Sequence, residues 1–292
     1  MKKLVFLFLV GSIFFACEND DDTPSTSMLE LSFNGLSDLG PDFVYEGWIM
    51  VNGTPVTTGT FMANSSGNIS PSMFDINSEN IAAATAFILT IEPYPDNDPA
   101  PSNVHVVAGD FSGSNASLSI SHPAALGTDF ASSMGKYILA TPTNGADTNE
   151  KSGIWFLDLD SGSPMEGLNL PELPAGWMYE GWTVIDGVPV TTGTFLETSG
   201  MVDNFDGNSS QENPGPPFPG EDFLMNAPGN LTFPTNISGG IAVISVEPYP
   251  DNSPEPFAIK PLVGMIPADA MDHKTYMMDF SSASFPTGTA TK

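Results

Sequence analysis

The chain has 292 residues, with 7 basic side chains against 35 acidic ones, a formal net charge of −28 at pH 7 and one cysteine. A surface this acidic has no basic face to neutralise phosphates, which excludes nucleic acid as a partner, and one cysteine excludes an internal disulfide. Two of the lysines precede Leu4, the other five are Lys136, Lys151, Lys260, Lys274 and Lys292, and arginine does not occur.

Residues 1–16, MKKLVFLFLVGSIFFA, join two lysines to an apolar run from Leu4 to Phe15, the pattern of a secretory signal peptide. The run falls short of the ~20 residues a membrane-spanning helix needs. Phe14-Phe15-Ala16-Cys17 resembles the lipidation site of bacterial lipoproteins, although Phe stands where Leu and a small residue are usual. The resemblance implies cleavage before Cys17 and acylation of it, with an ordinary signal peptide and an incidental cysteine as the alternative. Residues 17–27 are acidic and then rich in Ser, Thr and Pro, so a solvated tether is expected there. The acidic run from Glu18 to Asp22 resembles the signal that sends Bacteroidetes-type lipoproteins to the outer face of the outer membrane, and a generic spacer is the alternative. The expected location is the cell envelope, lipid-anchored in the outer membrane and open to surface exposure.

Beyond the tether the pattern is that of strands. Short runs rich in Val, Ile, Phe, Tyr and Thr, such as 87–92, 137–141, 154–159 and 241–247, alternate with Gly, Pro, Asn, Asp and Ser, and no long helical period occurs. This predicts an all-β chain of two tandem antiparallel β-sandwich domains.

The tandem reading comes from a duplication. YEGWIMVNGTPVTTGTF (45–61) returns as YEGWTVIDGVPVTTGTF (179–195), and FILTIEPYPDNDPAP (87–101) as AVISVEPYPDNSPEP (242–256). The expected domains are 28–151 and 152–292, the second carrying an extra segment, GNSSQENPGPPFPGEDF (207–223), read as an exposed loop because its prolines cannot serve a central ladder. KYILATPT (136–143) and GIWFLDLD (153–160) are expected to pair as a hairpin that stitches the units together.

Within each copy Asn52-Gly53 or Asp186-Gly187 lies between two strand-like runs, the preferred chemistry of a two-residue hairpin turn. Alternation places Glu46 and Trp48 on one face of the first strand and Tyr45, Gly47, Ile49 and Val51 on the other. Two readings of Tyr45, Glu46 and Trp48, and of Tyr179, Glu180 and Trp182, stay open. They form a sugar-stacking platform with a carboxylate for hydroxyls, or a core aromatic cluster whose Glu accepts bonds from loop amides. Glu92 and Glu247 end the later strand before a rigid proline-rich loop. Asp96, Asn97 and Asp98 are oxygen donors but too few for calcium on one loop, so turn formation is their expected role and no metal is expected.

At these motifs the chain resembles the extracytoplasmic C-terminal domain of the anti-sigma-K factor family. The resemblance rests on Trp48, Gly53, Pro55, Val56, Gly59, Phe61, Glu92 and Pro93, and on Trp182, Gly187, Pro189, Val190, Gly193, Phe195, Glu247 and Pro248. It implies a β-sandwich in each unit. The chain departs from the family in having neither a recognisable sigma-binding domain nor a spanning helix, and in carrying Tyr-Pro-Asp-Asn where glycines are usual.

His105, His122 and His273 are dispersed, and HExxH, GxSxG and Cys-His arrangements are absent. Convergence of Glu46 with Glu92, or Glu180 with Glu247, would be the one route to acid–base chemistry. The expectation is a non-enzymatic lipoprotein without cofactor, a binding or sensing module whose partners are the membrane, through its N-terminal lipid, and an unknown protein or glycan. A surface glycan-binding or glycan-processing lipoprotein is the alternative.

Overall fold

The computed structural model describes residues 25–199, 207–210, 212–250 and 253–292. The signal peptide, Cys17 and the tether as far as Pro24 lie outside the described residues. Strand structure begins at Thr26, earlier than the expected tether end at 27, because Thr26 and Ser27 already pair with Asn77 and Ile76.

The fold is all-β and antiparallel, with 45% of residues in strands and 3% helical. One helix, Ser78–Ala83, is capped by the Asn77 side chain, which accepts from the amides of Glu79 and Asn80. No helix among the described residues is long and apolar enough to cross a membrane.

Two nine-stranded sheets dominate. In the first the order is Ile69–Ser70, Thr54–Ala63, Phe43–Val51, Ala84–Pro93, His105–Ser112, Asn115–Ser119, Thr287–Thr291, Thr26–Asn34 and Met73–Asn77. In the second it is Val188–Phe195, Trp177–Ile185, Ile241–Pro248, Leu262–Met265, Tyr276–Phe280, Met134–Leu139, Gly153–Trp155 and Gly220–Asp222, with Leu168–Asn169 also pairing to Met134–Leu139. Each YEGW hairpin is formed as its turn residues require. Asn52 and Gly53 have φ of 51° and 79°, Asp186 and Gly187 of 50° and 83°, and Val51 faces Thr54 as Ile185 faces Val188.

The sheets are not each drawn from one sequence repeat. Thr287–Thr291, the last strand of the chain, lies between Asn115–Ser119 and Thr26–Asn34 in the first sheet. The corresponding slot of the second sheet, between Tyr276–Phe280 and Gly153–Trp155, holds Met134–Leu139 from the end of the first repeat. Each repeat thus gives its last strand to the other's sheet. The expected pairing of 136–143 with 153–160 is present as Leu139 opposite Ile154 and Ile138 opposite Trp155. Buried side chains of both sheets form one continuous cluster that includes Leu29 and Phe87 from one and Tyr179 and Ile244 from the other.

The segment 207–223 departs from the exposed loop expected of it. Residues 212–214 and 217 are exposed, but Asn208, Ser209, Glu221, Asp222 and Phe223 are buried. Its prolines stay clear of the ladder while Gly220–Asp222 pairs with Gly153–Trp155 and ends the sheet.

Gly47 and Gly181 mark where the repeats pack alike by different means. A Cβ at Gly47 would lie 2.8 Å from the Phe87 ring, and one at Gly181 2.6 Å from the Phe156 ring. Ala242 holds the place of Phe87 in the second repeat, so the ring over that glycine is supplied instead by Phe156, at the break between Gly153–Trp155 and Leu157–Asp158.

Candidate functional site

Alternation along Phe43–Val51 separates the motif residues as expected. Tyr45 and Ile49 join the main core, while Trp48 packs with Ile88, Ala108 and Ala125 on the other face. The two tyrosines are core anchors: Tyr45 Oη donates to the Ser37 carbonyl at 2.9 Å and Tyr179 Oη to the Pro171 carbonyl at 2.6 Å. Desolvation pushes the pKa of both phenols far up.

The indoles are equally committed. Trp48 is 3% exposed and Trp182 1%, and their Nε1 groups donate to Thr90 Oγ1 at 2.9 Å and Ser245 Oγ at 2.8 Å. Neither presents a face on which a sugar could stack, so for these residues the core reading holds. The loop over Trp48 is clamped by two histidines that the sequence scatters: His105 Nδ1 is 2.8 Å from the Ala124 carbonyl, and the Ala124 amide donates to His122 Nδ1 at 3.1 Å.

The four glutamates are structural acceptors. Thr57 Oγ1 donates to Glu46 and itself accepts from the Gly59 amide at 3.0 Å, and Thr191 Oγ1 does the same between Glu180 and Gly193, at 2.9 Å. Each chain of bonds spans a register shift in its hairpin, after Gly47 in one and between Glu180 and Trp182 in the other. Glu92 accepts the Ser102 amide on both oxygens, at 2.9 and 3.2 Å, and Glu247 the Phe257 amide at 2.9 and 3.1 Å. They tie down the proline-rich loops.

Register puts Glu46 and Glu92 on one face of adjacent strands, and Glu180 and Glu247 likewise, with Val44 opposite Glu92 and Met178 opposite Glu247. Burial raises the Glu46 pKa; the Thr57 bond opposes this, and the charges of Glu92 and Asp96 add to it. Asp96 Oδ1 accepts the Asp98 amide at 2.9 Å and Asp98 Oδ1 the Ala100 amide at 3.0 Å, so these side chains shape their own turn. Among the described residues no group of three His, Cys, Asp or Glu side chains is placed to hold a metal ion.

The exposed aromatics lie elsewhere in the repeats. Tyr94 is 63% exposed and Tyr249 60%, each in the Tyr-Pro step that follows the buried glutamate. The sequence displays both in EPYPDN, but an aromatic within a motif gives no sign of which way it faces. Tyr249 borders two depressions. One, of about 920 Å³, is floored by Trp177 and Trp182 and lined by Glu180, Thr191, Thr194 and Leu196. The other, of about 930 Å³, lies where the repeats meet, between the segments 37–43 and 102–104 of the first and 247–250 and 253–257 of the second. Gly176 sets that junction. A Cβ on it would lie 2.9 Å from the Asn103 carbonyl carbon, and its own carbonyl accepts the Tyr249 amide at 2.8 Å.

No protein-family model matches the chain, and no curated protein or solved structure is significantly similar to it.

Proposed function

We infer that the protein is a non-enzymatic binding or sensing module of the cell envelope, made of two anti-sigma-K-factor-like extracytoplasmic units and anchored by lipid at Cys17. The observation that carries this reading is the commitment of the repeated carboxylates. Glu46, Glu92, Glu180 and Glu247 each accept hydroxyl or amide hydrogen bonds within their own repeat. An acid–base pair must instead reach a substrate. Residues held alike in two copies for their hydrogen bonds serve a scaffold, and the scaffold presents Tyr94, Tyr249 and the two depressions that Tyr249 borders.

The envelope address rests on the signal-like first 16 residues and Cys17. Growth of cells with an alkyne palmitate analogue, comparing the wild-type chain with Cys17→Ala, tests it. Label on the wild type alone is the expected result, and an unlabelled wild type overturns the anchor.

A second reading, a surface glycan-binding module, draws on the depression beside Glu180. With Glu180 and Thr191 spent on each other, it offers the Thr194 side chain and the exposed Tyr249 ring, a polar group beside an aromatic face of the kind neutral sugars use. A glycan array probed with wild type and Tyr249→Ser separates the readings, since only this one expects a signal that the substitution removes.

A further inference from the structure

We propose that the crevice between the repeats docks an extended peptide segment in which cationic and apolar side chains alternate. The proposal rests on the binding-module reading and gives that module a site and a class of partner.

Three features of the crevice carry it. First, it exists only in the assembled chain, because its walls come from both repeats: Leu39 and Phe43 on one side, Tyr249 and Phe257 on the other. The exchanged strands and the close contact of Gly176 with Asn103 hold those walls together. The site is therefore largely preformed, which lowers the ordering cost of binding.

Second, its lining is rigid and partly apolar. Pro41, Pro93, Pro248 and Pro256 fix the backbone along it, while Leu39 and Phe43 are only half covered. Those two side chains offer apolar surface to a ligand of matching spacing.

Third, the charge has one sign. Among the described residues the charged side chains on the lining are Asp38, Asp42, Glu247 and Glu255. Glu247 is spent on the Phe257 amide, and Glu247 and Glu255 both share their field with Lys260, which stands outside the lining and whose own pKa burial lowers. Asp38 and Asp42 are exposed at the mouth on the first-repeat side. An anionic ligand would meet uncompensated repulsion there, whereas a Lys or Arg side chain beside an apolar one meets both of its complements. A low-dielectric cleft lined by one sign of charge also concentrates counter-charged partners.

Fluorescence anisotropy of the purified chain tests this with four probes: a labelled octapeptide alternating lysine and leucine, its glutamate–leucine and lysine–serine counterparts, and an uncharged oligosaccharide as competitor. The expected result is saturable binding of the lysine–leucine peptide alone. It should weaken about tenfold in Asp38→Asn/Asp42→Asn and on raising the salt, and stay unchanged in the control pair Asp75→Asn/Asp269→Asn. Equal loss in the control pair would reduce the effect to general acidity and overturn the site. Equal binding of the lysine–serine peptide would remove the apolar wall from the argument and overturn it too, as would absence of binding or displacement by the oligosaccharide, the last reassigning the crevice to glycan. None of these outcomes touches the labelling at Cys17, so the site and the anchor fail separately.

Discussion

Phe130 and Phe285 meet edge-on, with ring centroids 5.9 Å apart and planes at 66°. Phe130 lies just before the strand that the first repeat gives to the second sheet, and Phe285 just before the strand that comes back. The contact is where the two crossing connections pass. Phe130 is 1% exposed and part of the common core, so Phe130→Ala should cost about 3–5 kcal/mol by leaving a cavity at the crossing. Because each sheet contains a strand of the other repeat, urea unfolding followed by far-UV circular dichroism and by tryptophan fluorescence should give one coincident transition, for wild type and variant alike. Two separated transitions would show that the repeats unfold independently and that the exchange does not couple them.

The threonines that hold the repeated glutamates give a second expectation. Thr57→Val keeps the shape but removes both the donor to Glu46 and the acceptor for the Gly59 amide. The loss should be about 1–2 kcal/mol, since a mostly buried carboxylate is left short of a partner. Thr191→Val should match it through Glu180 and Gly193, and the double variant should lose the sum to within about 0.5 kcal/mol, the sites lying in different sheets. Thr60→Val, facing Glu46 across the same hairpin, is the control and should change stability by less than about 0.5 kcal/mol. Thermal melts of the four variants check the set.

The strands, the hairpin turns and the split of Tyr45 from Trp48 were legible because each depends on local pattern: period-two alternation, and Asn-Gly or Asp-Gly chemistry. The strand exchange was not. Met134–Leu139 and Thr287–Thr291 read as ordinary strands in any arrangement, and which sheet accepts them depends on contacts far apart in sequence, such as Ala290 with Leu31. The half-buried fate of 207–223 was hidden for a related reason. Its Pro and Gly density dominates the local signal, while the short Gly220–Asp222 ladder is specified by Gly153–Trp155 elsewhere in the chain. For the candidate site, Tyr45, Glu46 and Trp48 were visible as a repeated group, but repetition does not distinguish a buried hydrogen-bonding set from a binding surface. Direction of burial does, and it moved attention to Tyr94 and Tyr249.

Asp222 predicts a pH dependence. Its carboxylate, fully buried, accepts the Thr143 amide at 2.8 Å, the Thr143 hydroxyl at 2.5 Å and Trp155 Nε1 at 2.8 Å. Desolvation nevertheless wins and raises its pKa, with the Glu150 charge adding and the three bonds opposing. Between the ordinary carboxylate value of ~3.9 and the raised folded one, the folded state holds a proton that the unfolded state has lost. Stability from this group is therefore full below the ordinary value and is lost as pH rises through the folded pKa. Asp222→Asn cannot titrate, so the difference in stability, wild type minus variant, should fall as pH rises from about 4 and then level off. Melting temperatures across that range check the slope, and a difference that grows with pH would contradict the assignment.

The final expectation concerns the tryptophans, which decide whether the YEGW motif can face a ligand. All 4 are nearly inaccessible: Trp48 is 3% exposed, Trp155 1%, Trp177 2% and Trp182 1%. Acrylamide reaches fluorophores by direct contact, so quenching of the folded chain should be weak and should rise severalfold only on unfolding. Trp182→Phe should destabilise the chain by about 1–3 kcal/mol, because it strands Ser245 Oγ, with 0% of that residue exposed, and removes ring volume. Tyr249→Ser, altering a ring that is 60% exposed, should stay within about 0.5 kcal/mol of wild type. If the motif were a binding platform the order would reverse: Trp182 would quench readily in the free chain, become protected on adding ligand, and be replaceable at little cost in stability. Measuring quenching and melting on the same two variants distinguishes the arrangements without any knowledge of the partner.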